Sequence, residues 1–303
     1  MSDELADLLA AGERAAFHGR PASGIGALES AFEQAKEQGR GAEATAAAWL
    51  LGVCLGAAGK FGSALAVLEP LAAQSGTDVP ERRLFAALAA ASAASVHRQL
   101  GQHESAKSLD EQGLALAEGG AEPTFDALLG LAADNVGLGD APAARGRLTE
   151  AAAIAEPRAD WWRQKVELAW VQAEAALLEG NPAAAIATLS PAITSAELSG
   201  APRYVSKSLL FLGVAQVQSG QLPDAEATLR RAATLAESLG AVPLLWPSRA
   251  LLGALLEESA PTESAQSLAA ARGAVIAIAD DLPETLRGVW LDRQDVAALL
   301  GGD

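Results

Sequence analysis

A break opened by glycine recurs along this chain at nearly constant spacing: Gly19, Gly59, Gly101, Gly139, Gly180 and Gly220, with Ala260 in the seventh place. The separations are 40, 42, 38, 41, 40 and 40 residues, a regularity that marks an array of similar supersecondary units. Residues 209–240 show the unit most clearly. Leu209, Leu212, Gly213 and Gln216 recur at helical spacing before Ser219-Gly220-Gln221-Leu222-Pro223, and Ala225, Leu229, Ala232 and Leu235 do so after it. Two amphipathic helices joined by a tight turn form a hairpin, which cannot bury its apolar faces alone. The predicted units are 3–40, 41–79, 80–121, 122–156, 157–200, 201–241 and 242–279. Residues 280–303 fall outside the period and are expected to form a C-terminal capping helix, interrupted near Leu291 and Asp292, with Trp290 as its largest buried side chain.

Seven residues before each break stands a small residue (Gly12, Gly52, Ala94, Ala132, Ala173, Gly213, Gly253), and five after it another, from Gly24 and Ala64 through Ala225 to Ala265. Helices folded back on each other approach closely only where neither carries a bulky side chain at the crossing. Nine residues after the break comes a larger filler: Leu28, Leu68, Leu148, Leu189 and Leu229. Asp110 and Ala269 are the exceptions, and Leu109 is expected to fill in the third unit. Prolines mark helix starts independently, where a missing N–H costs nothing. Pro21, Pro142, Pro182, Pro223 and Pro261 open second helices; Pro80, Pro123, Pro157, Pro202 and Pro243 open the next first helix. Pro70 and Pro191 fall inside second helices, which predicts a kink in each.

Half of the residues are apolar, mostly Ala and Leu, and these are the strongest helix formers. The net charge of -16 argues against nucleic acid and against an anionic membrane surface, and favours basic or apolar partners. A single cysteine, Cys54, leaves no intramolecular disulfide, and the acidic start MSDELADLL is unlike a secretory leader, so a cytoplasmic protein is expected. Charge-free runs such as 44–59 fall short of the roughly 20 apolar residues of a membrane span. His18, His97 and His103 are scattered, and there is no HExxH, no paired cysteine and no glycine-rich phosphate loop. No catalytic site, metal or cofactor is therefore expected.

The small residues twelve apart, the Leu-Gly pairs Leu51-Gly52, Leu212-Gly213 and Leu252-Gly253, and a third small residue at Ala31, Ala151, Ala192 and Ala232 resemble the tetratricopeptide repeat over residues 5–280. A period near 40, rather than about 34, resembles the longer-helix subtype found in bacterial regulatory proteins. Leu or Ala replaces most of the family's signature aromatics. The resemblance implies an all-α, right-handed solenoid of seven hairpins whose inner groove, lined by first helices, binds a peptide or a partner's helix. The groove then holds the residues thirteen, ten, six, three and two before each break. Those are Trp49 and Val53 in unit two, Ser95 and Arg98 in three, and Asp126 and Leu129 in four. Unit five contributes Glu167, Trp170, Glu174 and Leu177, and unit six Lys207, Leu210, Val214 and Val217. The Lys, Asn and Arg set with which some family members clamp a C-terminal carboxylate is not found.

Trp170 and Glu174, four residues apart, share a helical face opposite Leu210 and Val214, and would suit a peptide with apolar anchors and basic flanks. The alternative is that Trp170 packs between hairpins. In Asp160-Trp161-Trp162-Arg163-Gln164-Lys165 the two indoles point about 100° apart, so one can be buried while a cation covers the other. They read either as an exposed anchor or as a plug where units four and five meet. The predicted function is a non-catalytic protein-interaction scaffold. An effector-sensing module using the same groove is the second reading, and self-association through the outer face or cap is compatible with both.

Overall fold

The computed structural model describes residues 4–74 and 79–301. Its first three hairpins are α1 (Glu4–His18) with α2 (Pro21–Glu37), α3 (Gly41–Ala57) with α4 (Phe61–Ala72), and α5 (Pro80–Gln99) with α6 (His103–Leu116). Then come α7 (Ala121–Gly137) with α8 (Ala141–Ala155), α9 (Trp162–Leu178) with α10 (Pro182–Leu198), α11 (Pro202–Gln218) with α12 (Leu222–Leu239), and α13 (Val242–Leu255) with α14 (Pro261–Asp281). The chain is an all-α solenoid. Five of the turns inside hairpins carry their glycine at positive φ, from Gly59 at 82° to Gly220 at 77°, which explains why glycine keeps that place. Among the described residues no helix is long and apolar enough to cross a membrane.

The small residue before each break has a specific occupant opposite it. A Cβ on Gly12, Gly52 or Gly213 would run into Leu28, Leu68 or Leu229, the filler of the same hairpin, and all three leucines are fully buried. In the seventh unit Leu268 fills over Gly253 in place of Ala269. The third unit departs from expectation: Leu109 is only half-buried, whereas Asp110 takes the filling place with no exposed surface. It can do so because Arg98 reaches it from α5. Proline also departs once. Pro157 lies in the turn after α8, and α9 begins five residues later at Trp162. Helix α4 ends two residues past Pro70, while α10 runs on for seven past Pro191.

Consecutive first helices touch one another, whereas second helices pack mainly on the first helices beside them. The first helices therefore form the inner wall of the coil. After about five units the coil meets itself. The end of α1 reaches α11, where Arg203 Nη2 donates to the Ala16 carbonyl at 3.0 Å and His18 Nδ1 lies 3.1 Å from the Ser199 carbonyl. One unit on, the start of α4 meets the end of α14, where the Asp281 carboxylate accepts from Ser63 N–H at 2.9 Å and from Ser63 Oγ at 2.7 Å. The cap is two helices, α15 (Glu284–Asp292) and α16 (Gln294–Gly301), separated at Arg293 (φ -59°, ψ 129°), next to the interruption expected near Leu291 and Asp292. Trp290 is fully buried and packs edge-on against both Trp246 and Phe61. The cap thus closes the last unit and also joins it to the second.

Candidate functional site

The registers thirteen and six before each break place Asp126 on α7, Glu167 and Glu174 on α9 and Lys207 on α11 along neighbouring first helices. Their charges act on one another: Asp126 feels Arg163, Glu167 and Glu122, and Glu174 feels Lys207, Arg98 and His103. Two of these groups are held in place. Tyr204 Oη donates to Glu167 Oε1 at 2.9 Å, and Arg163 bridges Glu122 at 2.5 Å and Glu167 at 3.4 Å. The Asp126 and Glu174 carboxyls make no hydrogen bond or ion pair with another described residue.

Burial sets the protonation of this wall. It pushes the Asp126 carboxyl up to about 7, opposed by Arg163 and reinforced by Glu167 and Glu122. It holds Glu174 above the ordinary carboxylate value against the pull of Lys207. It holds Lys207 below the ordinary lysine value against the pull of Glu174 and Glu167. Neither carboxyl has, among the described residues, the hydrogen-bond partner that would offset its lost hydration. A basic group on a ligand, placed at either carboxyl, would supply one.

Aromatic side chains surround the charges. Trp170 is buried rather than projecting: its indole N–H donates to Ser208 Oγ at 2.7 Å, its ring stacks on Tyr204 at 5.1 Å, and Lys207 Nζ lies 4.3 Å over its face. It builds the wall between α9 and α11, as the packing alternative anticipates. Trp49 is half-buried, donates to Ser92 Oγ at 3.1 Å and lies between Phe17 and Phe85. Of the tryptophan pair, Trp161 packs on Phe125 under the Arg158 guanidinium, and Trp162 turns towards Tyr204 and His18. Leu129 and Leu210 are buried in separate clusters, while Val53, Leu177 and Val214 are half-buried. Arg98 is drawn between α5 and α7, where it bonds Asp110, Asp134 and the Gly130 carbonyl.

The predicted registers stop one helical turn short. Seventeen residues before the break stand Glu122, Arg163 and Arg203, directly beneath Asp126, Glu167 and Lys207. Extending the helical period by four residues finds all three. Phe17, which lies under the Arg163 guanidinium at 5.2 Å, comes from the coil meeting itself and has no such signal in the sequence.

No family model matches this sequence, and no curated protein matches it. Solved structures do match by shape. A crystal structure of a Rap protein complexed with competence and sporulation factor aligns with 98% of this chain and 89% of that one, with a TM-score of 0.68 at 12% identity. Aspartyl phosphate phosphatase F from Bacillus subtilis aligns with 99% of this chain and 83% of that one, with a TM-score of 0.52 at 14% identity. At such identities the likeness is one of fold.

Proposed function

We propose that this chain is a non-catalytic interaction scaffold that takes a peptide, or an extended segment of a partner protein, against the inner wall formed by α7, α9 and α11. The observation that carries this reading is two partly buried carboxyls with no hydrogen-bond partner among the described residues: Asp126, in the field of Arg163 and Glu167, and Glu174, in the field of Lys207, whose ammonium lies over the Trp170 ring. Such a wall favours a ligand with a basic group flanked by apolar side chains. The tetratricopeptide assignment and cytoplasmic residence belong to the same reading. The glycine-opened period near 40 and the small-residue crossings support the first, and the lone cysteine supports the second.

Effector sensing remains the second reading, because a protein of this fold holds a separate factor in its complex. The phosphatase name of another neighbour belongs to that protein. In this chain the wall offers carboxyls, a lysine and aromatic rings, the chemistry of a binding surface for a basic, apolar segment.

The test is fluorescence anisotropy with a labelled library of short Arg- or Lys-containing apolar peptides, on the native chain and on Asp126→Asn and Glu174→Gln. Each substitution is expected to weaken the best peptide by about tenfold while helicity by circular dichroism stays unchanged. Equal affinity in all three proteins would remove the reading. Binding should also strengthen as pH rises through about 7, since the cation needs the ionised Asp126 carboxylate.

A further inference from the structure

A second concavity lies apart from the inner wall. A cleft of about 550 Å³ opens between α2, α3, α4 and the start of α5, and none of its α3 residues stands in a groove register. Helix α4, which forms one side of it, has 12 residues, against 14 to 21 in the other second helices, and stops just past Pro70. The floor is apolar, made by Phe32, Leu51, Val67, Pro70 and Leu71, and at that volume it falls within the range of small-ligand sites.

One cation marks the mouth. Arg82 lines the cleft, and its guanidinium lies against Gly41, where a Cβ would stand 2.7 Å from Nη2. Its neighbours are engaged: Arg40 pairs with Glu43, and Arg83 with Glu118. Arg82 makes no hydrogen bond or ion pair with a described residue, although the chain carries 38 carboxylate side chains against 22 Lys and Arg. An exposed guanidinium with no partner among the described residues, at the rim of an apolar cleft in a strongly acidic protein, favours one class of occupant. We propose that this cleft binds a small amphipathic monoanion, an acyl or aryl carboxylate whose chain lies on the apolar floor and whose head group pairs with Arg82. The bidentate fit of guanidinium to carboxylate supplies the orientation, and the floor supplies the affinity. This site is independent of the inner wall, so peptide binding there can fail without touching it.

Decanoate, with a chain of about ten carbons, is a probe of suitable size for such a cleft. Isothermal titration calorimetry on the full chain is expected to show saturable decanoate binding, with decanol weaker by about tenfold or more and decyltrimethylammonium weaker still. Arg82→Gln should bring decanoate to the level of decanol. Ala66→Trp, which adds an indole from an exposed position on the cleft wall, should abolish binding of both, with unchanged helicity showing that the chain is folded. Absence of decanoate binding up to about 1 mM, equal decanoate affinity in Arg82→Gln, or full binding in Ala66→Trp would each overturn the assignment.

Discussion

Asp110 stands where five other hairpins carry leucine, and it is fully buried there. One guanidinium nitrogen, Arg98 Nη1, serves Asp110 at 3.0 Å, Asp134 at 2.6 Å and the Gly130 carbonyl at 3.1 Å. Two buried carboxyls thus share one cation, and Asp110 Oδ1 and Asp134 Oδ2 are left without partners. Burial raises the Asp110 carboxyl well above its ordinary value, with Asp134 adding to the rise and Arg98 opposing it. The folded chain therefore keeps a proton that the unfolded chain releases near pH 4 (about 3.9 for a free Asp). Its stabilising contribution is complete below that unfolded value and is lost as pH rises through the folded one. Asp110→Asn keeps the shape and has no proton to lose, so its stability should fall less between about pH 5 and about pH 8, with a gain over the native chain of about 1–3 kcal/mol at the upper end. Urea unfolding at the two pH values measures this, and parallel slopes would refute it. The sequence marks Asp110 as irregular because it breaks a local pattern. Its partners escape notice because periodicity reports which face a residue occupies and is silent on the residue it meets 12 or 24 positions away.

Helices are the most legible level of this chain. Glycine turns and proline starts act over a few residues, so the breaks predicted at Gly59, Gly101, Gly139, Gly180 and Gly220 fall in the observed turns. The cap is legible as an element and less so in its contacts. Trp290 is apolar in a period that ends, which identifies it as buried. That its indole N–H would donate to the Val275 carbonyl at 3.0 Å while its ring meets Phe61, far back in the chain, depends on the pitch of the whole coil. Of the candidate site, the columns at thirteen and six residues before the break were readable as faces of amphipathic helices. The exposure of Trp170 was not, because its burial comes from Tyr204 and Ser208 on the adjacent helix. Trp290→Ala should cost about 3–5 kcal/mol, the range for deleting a buried aromatic. If the cap joins unit seven to unit two, hydrogen exchange should rise in α4 as well as in α14 to α16. Faster exchange confined to α14 to α16 would show that the cap covers the last unit alone.

At the scale of the molecule, the property that distinguishes this array from an open groove is its contact with itself after about five units. Three junctions follow one another: α1 on α11, α4 on α14, and unit three on the cap, where Arg293 donates to the Gln99 carbonyl. The middle junction works as a helix cap supplied from the next turn of the coil. Lys60, the N-cap residue of α4, offers no capping side chain, and the Asp281 carboxylate accepts from Ser63 N–H in its place. The approach is close enough that a Cβ on Gly62 would collide with the Asp281 backbone carbonyl. Backbone cannot swing aside as a leucine tip can, so Gly62→Ala must push the two turns apart. Gly146, in α8, provides the contrast, because nothing stands within 4 Å of where its Cβ would be. Helix propensity alone predicts that alanine stabilises both positions by about 0.5–1 kcal/mol. The self-contact predicts opposite signs: Gly146→Ala raises the unfolding midpoint, whereas Gly62→Ala lowers it and increases the radius of gyration in small-angle X-ray scattering. Stabilisation by both substitutions, with unchanged scattering, would mean that the coil in solution is open along this junction. Opposite signs would mean that the inner wall is enclosed by the chain's own next turn, so that a ligand reaches Asp126 and Glu174 along the axis of the coil rather than from its side.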